Sequence, residues 1–235
     1  AQAPSCTGLL NDSYGGGAEA AYSTRRLNGN VTDCMLIRRA SDSTTQTIGF
    51  DGSGNIDEAA IETFCTGTTC TVYQWLDQSG NGNTATASAP ANEPTIYTGG
   101  AIVKKQGKVA CNFNGSSNYL STVDGVLNAS RVTIFNTIAA DVATGTNISY
   151  CLPQSSGAHT SPYGRLWLAQ RDVVDGNIRI NGGATSVSDI INHNRQLFSL
   201  NSYQGYLYVS GANTSGFSGN DITYPNTVPF VIGAN

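Results

Sequence analysis

Charged side chains are scarce in this chain. They make up 12% of its 235 residues, against roughly 25% in an average soluble domain. Only three are lysines (Lys104, Lys105 and Lys108), and the net charge is −4. So few cations give nucleic acid or an anionic membrane surface little to bind, and neither is expected as a partner. No apolar run approaches the roughly 20 residues that span a bilayer, so membrane insertion is not expected. Glutamate is rarer still: Glu19, Glu58, Glu62 and Glu93, with none beyond position 93. No Cys-x-x-Cys occurs, and His159 and His193 stand far apart. Those gaps exclude the usual zinc-ligand spacings, and no metal or cofactor is expected. A Gly-x-Ser-x-Gly nucleophile elbow is also missing.

The cysteines that are present number six. Cys6, Cys34, Cys65, Cys70, Cys111 and Cys151 are read as three disulfides formed in an oxidising compartment. Cys65 and Cys70 enclose four residues, and Gly67 lets the chain reverse between them, so this bridge is expected. The other four cysteines allow three pairings. Cys6–Cys34 with Cys111–Cys151 is preferred because both close the shorter loops. The opening Ala1-Gln2-Ala3-Pro4 reads as a mature terminus left by signal-peptide removal, so secretion is expected. Asn-x-Ser/Thr sequons at Asn11, Asn30, Asn114, Asn128, Asn147 and Asn213 permit glycosylation.

Period-two alternation dominates. Val31–Arg38, Thr45–Phe50, Thr71–Asp77, Lys108–Phe113, Arg131–Ile138, Tyr163–Ala169, Gln196–Tyr203 and Gly205–Ser210 read as strands between turn-forming clusters. One helix is expected between Ile56 and Cys65. Asp57 is its N-cap, Ile56 staples onto Ile61, and Gly67 ends it. The fold class is therefore all-β: a two-sheet antiparallel β-sandwich with one short helix. Residues 1–19 read as an N-terminal extension and 20–235 as a single domain.

Local motifs point mostly to scaffold. Asp51–Asp57 followed by Glu62, and Asp77–Asn83, imitate calcium loops. However, Ile56 occupies the place of the loop glycine, and tight turns account for both. The pairs Arg25–Arg26 and Arg38–Arg39 should aim their members at opposite faces of a strand. One of each is expected to pair with an acid such as Asp77 or Asp42. Trp75, Trp167, Tyr163, Tyr203, Tyr206 and Tyr208 could stack on sugars, but strand aromatics are more often core or cross-strand partners.

Three stretches together carry a resemblance. Ala21-Tyr22-Ser23-Thr24-Arg25-Arg26-Leu27 is the first, and Ile37-Arg38-Arg39-Ala40-Ser41-Asp42-Ser43-Thr44-Thr45-Gln46-Thr47-Ile48 the second. The third runs from Thr63 to Asn83, with its Cys-x4-Cys and its Asp-Gln-Ser-Gly-Asn-Gly-Asn turn. From about Ala20 to Pro94 the chain resembles the catalytic domain of fungal-type α-L-arabinofuranosidase B. Gly205–Gly211 and Val228–Asn235 look like late strands of laminin-G or concanavalin-like sandwiches.

The resemblance implies a glutamate nucleophile after a Cys-Cys-Phe-Asp-Tyr-Gly-Asn-Ala-Glu type stretch and an aspartate after an Ile-Gly-Gly run. The counterparts here are Ser149–Gly157, which holds no acid, and Ile232-Gly233-Ala234 followed by the amide Asn235. Asp172, Asp175, Asp189 and Asp221 remain as sources of an unusual nucleophile, though each reads locally as a turn residue. With both expected acids missing, no catalytic residue is assigned. The expected function is a non-catalytic secreted subunit of an extracellular fibre or surface assembly. The stop at Asn235 would leave an open sheet edge, which Ala1–Gly17 of another copy could fill, giving a homo-oligomer or filament. The alternatives are a glycan-binding, lectin-like module and an α-L-arabinofuranosidase with displaced catalytic acids.

Overall fold

The structure, a computed structural model, describes residues 18–114 and 116–124, and beyond them the backbone of the strands between 133 and 233. Two compact units divide the chain. The first comprises Ala1–Asn112 and Leu120–Thr122, the second Phe113–Tyr119 and Val123–Asn235.

The first unit contains strands β1 (Asp33–Arg39) and β2 (Thr45–Gly49), then helix α1 (Glu58–Cys65). There follow β3 (Cys70–Trp75), β4 (Ala85–Thr86), β5 (Thr95–Thr98), β6 (Ala101–Ile102), β7 (Lys104–Lys105) and β8 (Lys108–Val109). Strand β9 (Tyr119–Asp124) completes its sheet, whose order is β9-β4-β3-β1-β2. One edge of β3 serves two partners. Gln74 and Trp75 pair with β4, while Cys70 and Thr71 pair with β5. The β5–β6 hairpin turns on Gly99 and Gly100, with φ of 60° and 80°. A two-residue turn that matches strand twist needs positive φ at both positions, which glycine adopts without steric cost.

The core follows the alternation read from sequence. Met35, Ile37, Ile48, Ile61, Val72, Ile96 and Leu120 are fully buried. Cys34 and Met35 are buried side by side, which a regular strand would not allow. A bulge is the cause. Asp33 pairs with Gly49 and Met35 with Ile48, so Cys34 is an extra residue opposite β2.

Helix α1 forms where the capping signals place it. The Asp57 carboxylate accepts from Ala60 N at 3.0 Å, satisfying one of the amides a helix start leaves open. Ile61, Phe64 and Cys65 face inward, and Gly67 (φ 80°) turns the chain toward β3. Cys65 and Cys70 are bridged, with Cα atoms 5.9 Å apart. Cys34 and Cys111 carry free thiols, so the pairings Cys6–Cys34 and Cys111–Cys151 are not formed in the structure. Loop length was the only argument for them, and it ignores the bulge and sheet pairing that position Cys34 and Cys111. Cys6 lies outside the described residues, as does the side chain of Cys151.

The arginines of β1 do point to opposite faces. Arg38 lies over the Tyr73 ring at 4.6 Å and donates through Nε to Glu93 Oε1 at 2.8 Å. Arg39 lies over Phe64 at 4.7 Å and forks onto Asp42. Asp77 pairs with neither Arg25 nor Arg26. Its oxygens accept from backbone amides and a hydroxyl instead. The Glu93 side chain is fully enclosed and also accepts from Thr71 Oγ1. Glu93 thus fastens the segment after the 3-10 turn Pro90–Asn92 across β1 and β3. Of the expected strand Lys108–Phe113, only Lys108–Val109 forms a ladder; Asn112 makes an isolated bridge to Thr95.

The second unit contains β10 (Thr133–Ile138), β11 (Ile148–Leu152), β12 (Leu166–Arg171), β13 (Ile178–Ile180) and β14 (Gly183–Thr185). Strands β15 (Gln196–Asn201), β16 (Tyr206–Val209), β17 (Ala212–Gly216) and β18 (Pro229–Gly233) follow. An antiparallel sheet runs β10-β15-β16-β17, and two hairpins join β11 to β12 and β13 to β14. No helix among the described residues is long and apolar enough to cross a membrane.

Two substitutions probe these anchors. Asp57→Ala should cost about 1 kcal/mol, read as a lower urea midpoint at unchanged slope. Glu93→Gln leaves Arg38 facing a neutral amide. Because Arg38 keeps some exposure to water, the loss should fall near the lower end of the about 3–5 kcal/mol seen when one partner of a buried pair is removed. The double variant Arg38→Met/Glu93→Leu should recover part of that loss. Equal instability of single and double variants would show that the pair is not the source.

Candidate functional site

The family-like stretches converge on the turn that follows β3. Asp77 accepts from Ala21 N and Ser79 N through one oxygen, both at 2.9 Å. Its other oxygen accepts from Asn83 N at 2.9 Å and from Ser79 Oγ at 2.6 Å. Gln78 is buried and reaches the same N-terminal segment. Its Oε1 accepts from Leu27 N at 2.7 Å, and its Nε2 donates to Ser23 O at 2.8 Å. Asn81 and Asn83 donate through their side-chain amides to Glu19 O at 3.1 and 2.8 Å. Tyr22 donates its hydroxyl to Asn83 O. Gly80 and Gly82 have φ of 95° and 78°, which allows the turn to coil this tightly.

This constellation is a latch between segments more than fifty residues apart. Desolvation, with the Asp77 charge beside it, pushes the Tyr22 phenol well above its ordinary range, so it stays a neutral donor. Asp77 has every oxygen engaged by the chain itself. The Asp51 loop is built similarly. Asp51 Oδ1 accepts from Ser53 N at 2.8 Å and Asn55 N at 2.9 Å, and these bonds hold its carboxyl below the usual range. Both stretches that imitate calcium loops are turns closed by their own amides.

Four other acids of the first unit are likewise in structural use. Asp57 caps α1, Asp42 holds Arg39, Glu93 holds Arg38, and Glu58 meets Lys104 at 2.5 Å. Asp33 and Glu62 lie exposed on the surface. Trp75 is half-buried and packs against Tyr22 with ring centroids 6.3 Å apart at 60°. Trp167 sits on β12, and Tyr206 and Tyr208 on β16. Their side chains, like Tyr163 and Tyr203, lie outside the described residues. Asn30 and Asn114 are exposed; Asn114 Oδ1 accepts from the amides of Ser116, Ser117 and Asn118. Asn11, Asn128 and Asn147 lie outside the described residues, as does the side chain of Asn213.

The counterpart of the nucleophile stretch begins on β11. There Tyr150 pairs with Ala169 and Cys151 with Trp167. Its remaining residues, 153–157, lie outside the described residues, as do Asn235, Asp172, Asp175, Asp189 and Asp221. Sequence reasoning missed the latch's purpose and the Arg38–Glu93 pair. An acid near a Pro in a low-charge chain was the available signal for the second.

A profile described as "Alpha-L-arabinofuranosidase B, catalytic" matches residues 10–161. The α-L-arabinofuranosidase B of Aspergillus niger is 42% identical over 74 residues, 30% of this chain and 15% of that protein. That of Emericella nidulans is 40% identical over 82 residues, 33% of this chain and 16% of that protein. Among solved structures, an arabinofuranosidase complexed with arabinofuranosyl-α-1,2-xylobiose superposes with a TM-score of 0.62 at 19% identity. A GH54 α-L-arabinofuranosidase soaked with a cyclic sulfate inhibitor gives a TM-score of 0.57 at 20% identity. Each comparison covers 93% of this chain and 55% of the other. The chain thus spans about half the length of those structures, and its aligned stretch about a sixth of the curated relatives.

The structural likeness identifies the fold as an all-β sandwich of antiparallel sheets with one helix, as expected. The expected function is corrected. A non-catalytic fibre subunit that self-assembles by strand exchange does not agree with a catalytic-domain profile and with relatives that are arabinofuranosidases. Acids are absent from two short stretches, whereas the profile match runs over residues 10–161. With more than half of its residues matched by that profile, the chain belongs to the α-L-arabinofuranosidase B catalytic-domain family.

Proposed function

We propose that the chain is a glycoside hydrolase that releases α-L-arabinofuranosyl groups from carbohydrate. The observation that carries this is the catalytic-domain match over residues 10–161. Hydrolysis of a glycosidic bond needs two carboxyls. One protonates the leaving oxygen, and the other attacks the anomeric carbon or activates water, according to their separation. The buried and turn-forming acids of the first unit are engaged in caps, turns and ion pairs. The reacting carboxyls are drawn from aspartates farther along the chain, with Asp172, Asp175, Asp189 and Asp221 as the candidates. An aspartate can serve as nucleophile or as acid/base in the same way a glutamate does, with a shorter reach. Secretion fits this reading, because the Cys65–Cys70 bridge needs an oxidising compartment to persist.

The test is hydrolysis of 4-nitrophenyl α-L-arabinofuranoside by the purified full-length protein. Release of nitrophenolate well above the uncatalysed rate is expected. Among Asp→Asn changes at the four positions, two should each lower kcat by about 10²-fold or more with the fold intact by circular dichroism. A folded protein that releases nothing from this substrate or from arabinose-bearing polysaccharide would remove the proposal.

A further inference from the structure

Two thiols of the first unit have no role in the latch or the sheet ladders. Cys34 is the extra residue of the β1 bulge, and it is fully buried. Its Sγ donates to Ser23 O at 3.3 Å. The next residue of that segment, Thr24, donates through Oγ1 to Val109 O at 3.4 Å. Cys111 follows two residues on. Its backbone is fixed on both sides, by Ala110 N donating to Val103 O at 3.0 Å and Asn112 N to Thr95 O at 2.8 Å. Consecutive residues thus meet the Cys34 side chain, through Ser23, and Val109, two residues before Cys111, through Thr24. Burial raises both thiols, Cys111 to about 12, and Cys111 adds to the upward shift of Cys34. In the same unit Cys65 and Cys70 are already oxidised.

We propose that Cys34 and Cys111 are a disulfide-forming pair, cross-linking the β1 bulge to the segment after β8 when the chain folds in the presence of a small-molecule disulfide. The reaction is thiol–disulfide exchange with a donor such as glutathione disulfide. One cysteine thiolate attacks a donor sulfur, forming a mixed disulfide and expelling one glutathione thiolate. The second cysteine thiolate attacks the protein sulfur of that mixed disulfide, and the second glutathione leaves. Two protein thiols are oxidised, one donor disulfide is reduced, and both protons end on glutathione. The folded pair is protonated at neutral pH, and only thiolates attack. The bond therefore forms during folding, before Ser23–Thr24 closes over the bulge. It is made within the first unit and is independent of catalytic activity.

The test uses the full chain, unfolded and reduced, then refolded with a mixture of reduced and oxidised glutathione. Iodoacetamide in denaturant blocks remaining thiols, and the protein is digested without reduction for mass spectrometry. Loss of alkylation at both positions is expected, with the Cys34 and Cys111 peptides recovered as one species two hydrogens lighter than their sum. Alkylation of both residues in the refolded protein overturns the proposal. So does recovery of Cys34 linked to Cys6, or of Cys111 linked to Cys151. Because only the wild-type chain is used, no outcome depends on a variant folding.

Discussion

The first unit depends on one demand: backbone amides taken out of water must find acceptors. Asp77 meets it at a junction where the turn after β3 faces a segment with no ladder of its own. An ionised carboxylate accepts from several donors at once, and such bonds are roughly twice as strong as neutral ones. Gln78 extends the same device with both ends of a buried amide. Residues 18–28 are therefore held by side chains in addition to the isolated backbone bridge of Arg25 with Asn55. The two glycines at positive φ let the turn present its amides inward.

A chain with only 16 acidic residues cannot use them freely. In the first unit Asp57 caps a helix, Asp51 and Asp77 close turns, and Asp42, Glu93 and Glu58 hold a basic side chain. The enclosed Glu93 is the acid that faces Arg38, so replacing it leaves that arginine without its partner. Structural use of carboxylates and chemical use of them are in competition, since a carboxylate bonded to fixed donors is poorly placed to exchange a proton. Among the described residues, most acids of the first unit are committed to the scaffold in this way.

The bulge at Cys34 links the sheet to the chain's redox chemistry. Without it, Cys34 and Met35 would face opposite sides of β1, and one would lie toward solvent. The extra residue sends both inward and sets a thiol against Ser23. A local irregularity in one strand pair thus decides which cysteine is protected and which neighbour it meets.

Much of the local structure was legible in the chain itself. The cap at Asp57, the helix to Cys65, the Cys65–Cys70 bridge and the cores of β1, β2, β3, β10, β12, β15 and β16 all follow from short-range signals: side-chain period, capping chemistry and glycine turns. The three family-like stretches also gave the fold and the family. Short strands such as β5 were not legible, because four residues carry too little alternation. The partners of Arg38 and Asp77 escaped for a different reason. Contacts across more than fifty positions are set by sheet register and by the bulge, which no local window contains. Function followed the same division. The sequence alone determined ancestry and sandwich, since those reside in patterns of period two and in glycine and cysteine spacing. Only the tertiary structure decided which carboxylates are bound to the scaffold, because that depends on which amides and arginines the folded sheet brings against them.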